Sequence, residues 1–307
     1  MVNKEITDLI RSWRFIIIMC IILLTCFGSL YTSLSGFSEV VKKTTDADFF
    51  FLHLFTRSDG SLPSFFEFIA FLGPLLGISM GFDAINSEHN KGILSRLLAQ
   101  PIPRDFVINS KFIGGIVVIS ISFFTLSFLM IGAGLISLGI PPTAEEFIRI
   151  MAYTVLSIVY VSFWLNLSIF FSVKFKQAAT SALMGIATWL FFTAFYPLLI
   201  NVILKDLQPS RYALPTAIYV FEKLKYGLLQ IIPNELFSEI TSTILMPSVR
   251  SLGPLTRVQL EGSIPGSLPV GQSLLIVWPQ LTGLLALTLV SFILSYLIFM
   301  KREIRSN

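Results

Sequence analysis

Residues able to do chemistry are few in this 307-residue chain, and their spacing is the first constraint on its function. There are two histidines, His53 and His89, and two cysteines, Cys20 and Cys26. Both cysteines fall inside one apolar run, where a thiol packs as a small hydrophobe; they read as packing residues rather than a redox pair, a metal site or a disulfide. The histidines lie in segments that the hydropathy pattern puts on opposite sides of a membrane, so they do not share a site. The sequence has no H-E-x-x-H pair, no G-x-S-x-G elbow and no Cys/His cluster with metal-ligand spacing. It also lacks a G-x-x-x-x-G-K-[ST] phosphate loop, so nucleotide hydrolysis is not expected in this chain. No catalytic, cofactor-binding or metal residues are assigned.

Polar residues inside the apolar runs are equally sparse. Pumps and ion-coupled carriers display buried Asp, Glu, His or Arg along their path. Here Glu67 alone approaches an apolar interior, about one turn from its end, and reads as a carboxylate near the headgroups. Asn166 sits deeper, and a lone amide there is expected to bond between helices. If the protein moves something, the energy arrives from outside the chain.

Composition explains this poverty. Hydrophobic residues make up 54% and charged residues 13%, about half the charge share of a soluble domain. Mean hydropathy is +0.79. The net charge of +4 is too small to indicate nucleic acid. The fold class expected is an all-α integral membrane protein with six transmembrane helices. About 20 apolar residues cross the hydrocarbon, and the spans are read at 15–38, 64–82, 112–138, 147–173 (starting at Phe147 or, with Arg149 left in the loop, at Ile150), 178–204 and 274–300. The first exceeds a signal-peptide core of about 7–15 residues and is read as a retained helix. Pro74, Pro197 and Pro279 fall inside spans, where neighbouring helices can repair the lost hydrogen bonds.

The connecting segments complete the outline. Ile6, Leu9, Ile10 and Trp13 form an i, i+3, i+4, i+7 stripe, so residues 1–14 are expected to form an amphipathic elbow helix at the membrane surface. Six crossings put both termini on one side. That side carries twelve Lys and Arg against four in the opposite short loops, at Lys42, Lys43, Arg57 and Arg149. The positive-inside rule makes the richer side cytoplasmic. An outer loop covers 39–63. Residues 205–273 are expected to form a small extracytoplasmic helical cap on the outer mouth, with Asn234 as a helix cap before ELFSEITSTIL.

One charged segment stands between two very apolar runs. From Asp83 to Lys111 it reads DAINSEHNKGILSRLLAQPIPRDFVINSK. Glu88, Gly92, Leu94, Leu97, Leu98, Pro101 and Arg104 give E-x-x-x-G-x-L-x-x-L-L-x-x-P-x-x-R. Ile93, Leu94, Leu97 and Leu98 recur at helical spacing on one face, with Glu88, Lys91 and Arg96 largely elsewhere. Pro101 and Pro103 then stop the helix. Periodicity alone allows either an amphipathic connector on the membrane surface or a docking helix that receives force from a soluble partner.

This segment, placed after the second span, resembles that of the membrane subunits of type-2 ATP-binding-cassette exporters, the six-span permeases. Their motif runs glutamate, G-T-L-x-x-L-L, proline, arginine; Ile93 replaces the threonine. The elbow, six spans and an outer helical insertion before the last span extend the resemblance over the whole chain. It implies a transport subunit rather than an enzyme, with Glu88, Lys91, Gly92, Ile93, Leu94, Arg96, Leu97, Leu98, Pro101 and Arg104 as a coupling helix docking on a cytoplasmic ATPase. It also implies a second permease subunit, identical or not, in the cell membrane. No cofactor is implied in this chain; ATP and magnesium are expected on the partner ATPase. A sensor or assembly module of the same fold is the alternative.

Overall fold

In the computed structural model the described residues are 1–35, 49–58, 62–94, 99, 103–210, 213–254 and 266–301. Among them the chain is helical, with no strand. In chain order the helices are α1 (Val2–Ile10), α2 (Trp13–Ser35), α3 (Phe50–Thr56), α4 (Phe65–Gly81), α5 (Asn86–Asn90), α6 (Arg104–Leu138), α7 (Ala144–Lys174) and α8 (Ala178–Leu190). A π turn, Phe191–Phe195, leads into α9 (Tyr196–Ile203). Then come α10 (Pro215–Leu229), α11 (Pro233–Leu245), α12 (Val270–Ile276) and α13 (Trp278–Lys301). Six stretches are long and apolar enough to cross a membrane, namely α2, α4–α5, α6, α7, α8–α9 and α13. These are the six spans of the hydropathy pattern.

The bundle is built around α7, which packs against α4, α6, α8, α11 and α13. Its closest neighbour is α4, and the reason is a ladder of glycines. A Cβ on Gly77 would stand 2.6 Å from the Val161 carbonyl oxygen, and one on Gly81 would stand 2.6 Å from that of Leu165. Only small residues let two membrane helices approach this closely.

Prolines interrupt three spans, each with a local remedy. Pro74 cannot donate to the carbonyl of Ala70, one turn earlier. Tyr160 of α7 supplies the missing donor, its hydroxyl reaching Ala70 O at 2.9 Å. Ahead of Pro197 the chain makes the π turn, one of the identifiable devices that absorb a lost i→i−4 bond. At Pro279 the expected span 274–300 divides: α12 ends at Ile276 and α13 restarts at Trp278, with proline in its first turn, where no donor is needed.

Both serine–glutamate and threonine–glutamate capping boxes form. Glu67 accepts from Ser64 N at 2.7 Å, fixing the start of α4. Glu146 does the same for Thr143 at the start of α7 and also accepts from Phe51 N at 2.7 Å, which docks α3. Glu67 is therefore a helix cap. Asn166 donates to Thr288 O at 3.0 Å and to Ser291 Oγ at 3.1 Å, tying α7 to α13 as an interhelical amide. Cys20 and Cys26 are free thiols.

The 205–273 region, expected as a cap on the helix ends, places one helix deeper. Asn234, at the start of α11, meets Tyr160 in the middle of α7, while Ile244 near its end meets Arg149. α11 thus lies lengthwise among α4, α7 and α13. Its apolar face, Leu236, Phe237, Ile240 and Ile244, is buried there, and Phe237 stacks on Tyr160 with centroids 4.3 Å apart. A helix with one such stripe buries it against other helices where they offer a slot.

Candidate functional site: the clasp end of the bundle

The motif segment lies where α7 finishes. Ser172, in the last turn of α7, accepts hydrogen bonds from Ile85 N at 2.9 Å and Asn86 N at 3.2 Å. Asn90 Nδ2 donates to Lys176 O at 2.9 Å. The two bonds to Ser172 satisfy orphan donors at the start of α5, and all three pin the segment to α7 and to the turn after it. His89 belongs to this end, whereas His53, on α3 beside Glu146, belongs to the other.

Glu88 has a specific partner. Lys111, two turns into α6, is 7% exposed. Its Nζ donates to Glu88 Oε1 at 2.7 Å and to Glu5 at 3.0 and 2.9 Å. One ammonium therefore joins the elbow helix α1, the motif segment and span α6. A buried lysine requires such partners, because a lone charge away from water is costly. The close packing of α1 on α6 follows the same line: a Cβ on Gly114 would come 2.9 Å from Glu5 Cβ. Nearby, Arg14 pairs with Asp83 at 2.7 Å and lies over the Phe82 ring at 4.6 Å. That pair is half-exposed and contributes little. It links the start of α2 to the end of α4.

The single helix expected ahead of Pro101 is interrupted. α5 ends at Asn90, the chain turns through Lys91 and Gly92, and helix resumes at Ile93 and Leu94. Gly92 has φ +67°, a left-handed conformation that glycine adopts without steric cost. The turn separates Glu88 from the apolar residues that follow. Lys91 is exposed, Ile93 half-buried, and Leu94 only 1% exposed within the core. Arg104 opens α6 after Pro103. Arg96, Leu97, Leu98 and Pro101 lie outside the described residues.

Sequence reasoning did not find Lys111 and Glu5 as partners. The signal was available: a lysine in the early turns of an otherwise uncharged run needs a carboxylate, and Glu5 adjoins the elbow stripe. It likewise placed Arg149 in a loop. Arg149 is fully buried within α7 and donates to Ile244 O at 2.7 Å, Ser273 Oγ at 3.3 Å, Glu145 at 3.0 Å and the Leu268 carbonyl.

A family model described as ABC-2 family transporter protein matches residues 1–304. The chain belongs to that family. It is also 26% identical over 258 residues to the probable ABC transporter permease protein NosY of Stutzerimonas stutzeri, covering 81% of this chain and 82% of the relative. Together with six apolar helices, these findings make it a multi-pass membrane permease subunit of an ABC transporter, of a family whose members associate with ABC ATPases.

Proposed function

We propose that this permease is the membrane half of an ATP-driven exporter, and that the segment from Glu88 to Arg104 couples it to a separate ATPase that binds ATP and magnesium. The observation that carries the reading is the convergence at the clasp end. A displacement applied to the segment at Lys91–Ile93 is transmitted through Glu88 and Lys111 to α6 and α1, and through Ser172 to α7. A bound nucleotide shifts the spans only if its states contact the permease differently, and a segment joined to three helices converts such a difference into movement.

In this reading the residues divide their work. Lys91 and Arg96 offer charge to the ATPase, and Ile93, Leu97 and Leu98 offer an apolar ridge. Leu94 seats the segment on the bundle and Gly92 sets the turn. Pro101 and Arg104 stiffen the return into α6. Both termini and the clasp end are cytoplasmic, in the plasma membrane, in agreement with the excess of basic residues there. Two copies, or this chain and a related one, pair through the exposed apolar side of α8 and α9, where Leu183, Phe195, Leu198 and Val202 are all more than half exposed.

The test uses the permease co-expressed with its candidate ATPase. Lys91→Glu combined with Arg96→Glu is expected to abolish co-purification or to separate ATP turnover from transport, with unchanged membrane insertion. Retention of both coupling and co-purification overturns the docking role. In a chain with Cys20 and Cys26 replaced by serine, Lys91→Cys is expected to react with an impermeant maleimide in inside-out vesicles and not in intact cells. The reverse pattern overturns the orientation.

A further inference from the structure

The hydropathy pattern sets Glu235 outside every span, yet the fold carries it to membrane depth. α7 is uncharged from Ile150 to Val173, a run of about 36 Å that covers the hydrocarbon. Tyr160 lies about 15 Å along that run from Ile150, close to its middle. Its hydroxyl donates to the Asn234 side chain at 3.1 Å, so the first turn of α11 sits at that level. From there the helix rises to Ile244, beside Arg149. A second bond agrees. Tyr196, at the start of α9, donates to Leu228 O at 3.2 Å, which puts the end of α10 about 10 Å below Ile203, where α9 stops. α10 and α11 therefore form a hairpin that dips into the bilayer and returns.

One side of the returning helix is polar along its length. Glu235, Ser238 and Ser242 recur at i, i+3, i+7 with Glu239 beside them, opposite the buried Leu236, Phe237, Ile240 and Ile244. All four polar side chains are half-buried. Tyr226 donates to Glu239 at 2.9 Å and Gln280 at 3.3 Å. Among the described residues no ion pair or side-chain hydrogen bond reaches Glu235. A carboxyl group without a partner is costly in hydrocarbon, charged or neutral. The sides of the bundle that suit lipid look different: α13 exposes Leu285, Leu289, Ile293 and Leu297.

We infer that the Glu235–Ser242 face of α11 borders a water-filled inlet, which reaches from the end of the bundle beside Arg149 down to the level of Tyr160, with Glu235 charged near its bottom. Water solvates the carboxylate there, as it does for polar groups at membrane depth that line a cavity. The bonded group of Asn234, Tyr160 and Ala70 O marks the floor. The inlet belongs to the resting chain, so it depends on neither the ATPase nor the coupling role of the motif segment.

The test labels single cysteines in the full chain lacking Cys20 and Cys26, in right-side-out and inside-out membranes, with impermeant thiosulfonates of opposite charge. Ser238→Cys and Ser242→Cys are expected to react, from the same side as Ser248→Cys in the exposed turn after α11. Ser248→Cys reports the orientation by itself, so an error there leaves the test of the inlet intact. Leu289→Cys, 61% exposed on α13, is expected not to react, because its thiol meets lipid. At Ser238→Cys the cationic reagent should outpace the anionic one about tenfold, the effect of a carboxylate one turn away on reagents that differ by two charges. Glu235→Gln should reduce that preference. Lipid or a second copy seated on this face would leave Ser238→Cys and Ser242→Cys unreactive while Ser248→Cys labels, and that result overturns the inlet. A charge preference unchanged by Glu235→Gln overturns the placement of Glu235 in it.

Discussion

The most apolar 18-residue stretches of the spans α7 and α8–α9 have the same mean hydropathy, 1.8, yet 72% of the first stretch is buried inside the bundle and 17% of the second. Hydropathy therefore marks a membrane crossing and is silent about position within the fold. The composition of each face separates them. α7 buries Thr154, Ser157, Ser162, Asn166, Ser168 and Ser172, small or polar side chains that bring helices together where apolar burial gives no advantage over lipid. The outer side of α8–α9 shows Leu183, Leu190, Leu198 and Val202. Its π turn ahead of Pro197 leaves it the less regular of the two.

Breaking this contrast begins at Trp164, fully buried on α7. Trp164→Ala should lower stability by about 3–5 kcal/mol through the cavity it leaves, read as a large drop in the melting temperature of the detergent-purified chain. Gly77→Ala pushes a methyl into the α7 backbone and should cost about 1–3 kcal/mol; Val161→Ala would not rescue it, because the obstacle is the carbonyl oxygen of that residue. Next comes Tyr160→Phe, which strips Ala70 O of its donor and should cost about 1–3 kcal/mol, visible as faster amide exchange around Pro74. Leu198→Ala, at a residue 61% exposed on α9, should stay within about 0.5 kcal/mol in the isolated chain. A large loss there, or a negligible one at Trp164, would erase the distinction between hub and flank.

How much of this was readable in advance follows the same division. The spans were legible because apolar length is a one-dimensional property. Ser64-x-x-Glu67 and Thr143-x-x-Glu146 are local patterns that went unread, Glu67 reading instead as a carboxylate near the headgroups, although both form the caps such spacing favours. Asn166 was legible as an interhelical bond because a lone amide in lipid has few alternatives. Contacts that depend on three dimensions were not legible. Nothing near Lys111 in sequence announces Glu5, 106 positions away, and nothing in the stripe of α11 states that it is sunk beside α7 rather than laid across its end. The break at Gly92 was hidden for a different reason: helical spacing continues across it, and glycine tolerates a helical or a left-handed backbone alike. Among the motif residues, the positions of Glu88, Lys91, Gly92, Ile93, Leu94 and Arg104 are now placed in the fold, while their docking role stays a proposal.

The hydroxyl of Tyr160 meets both the Ala70 carbonyl freed by Pro74 and, at 3.1 Å, the side chain of Asn234. Three stretches far apart in sequence thereby share one proton-sized fastening. Sliding α4 along α7, or lifting the tip of α11, breaks it in either case. A displacement that keeps both contacts of the hydroxyl carries α4, α7 and the start of α11 together.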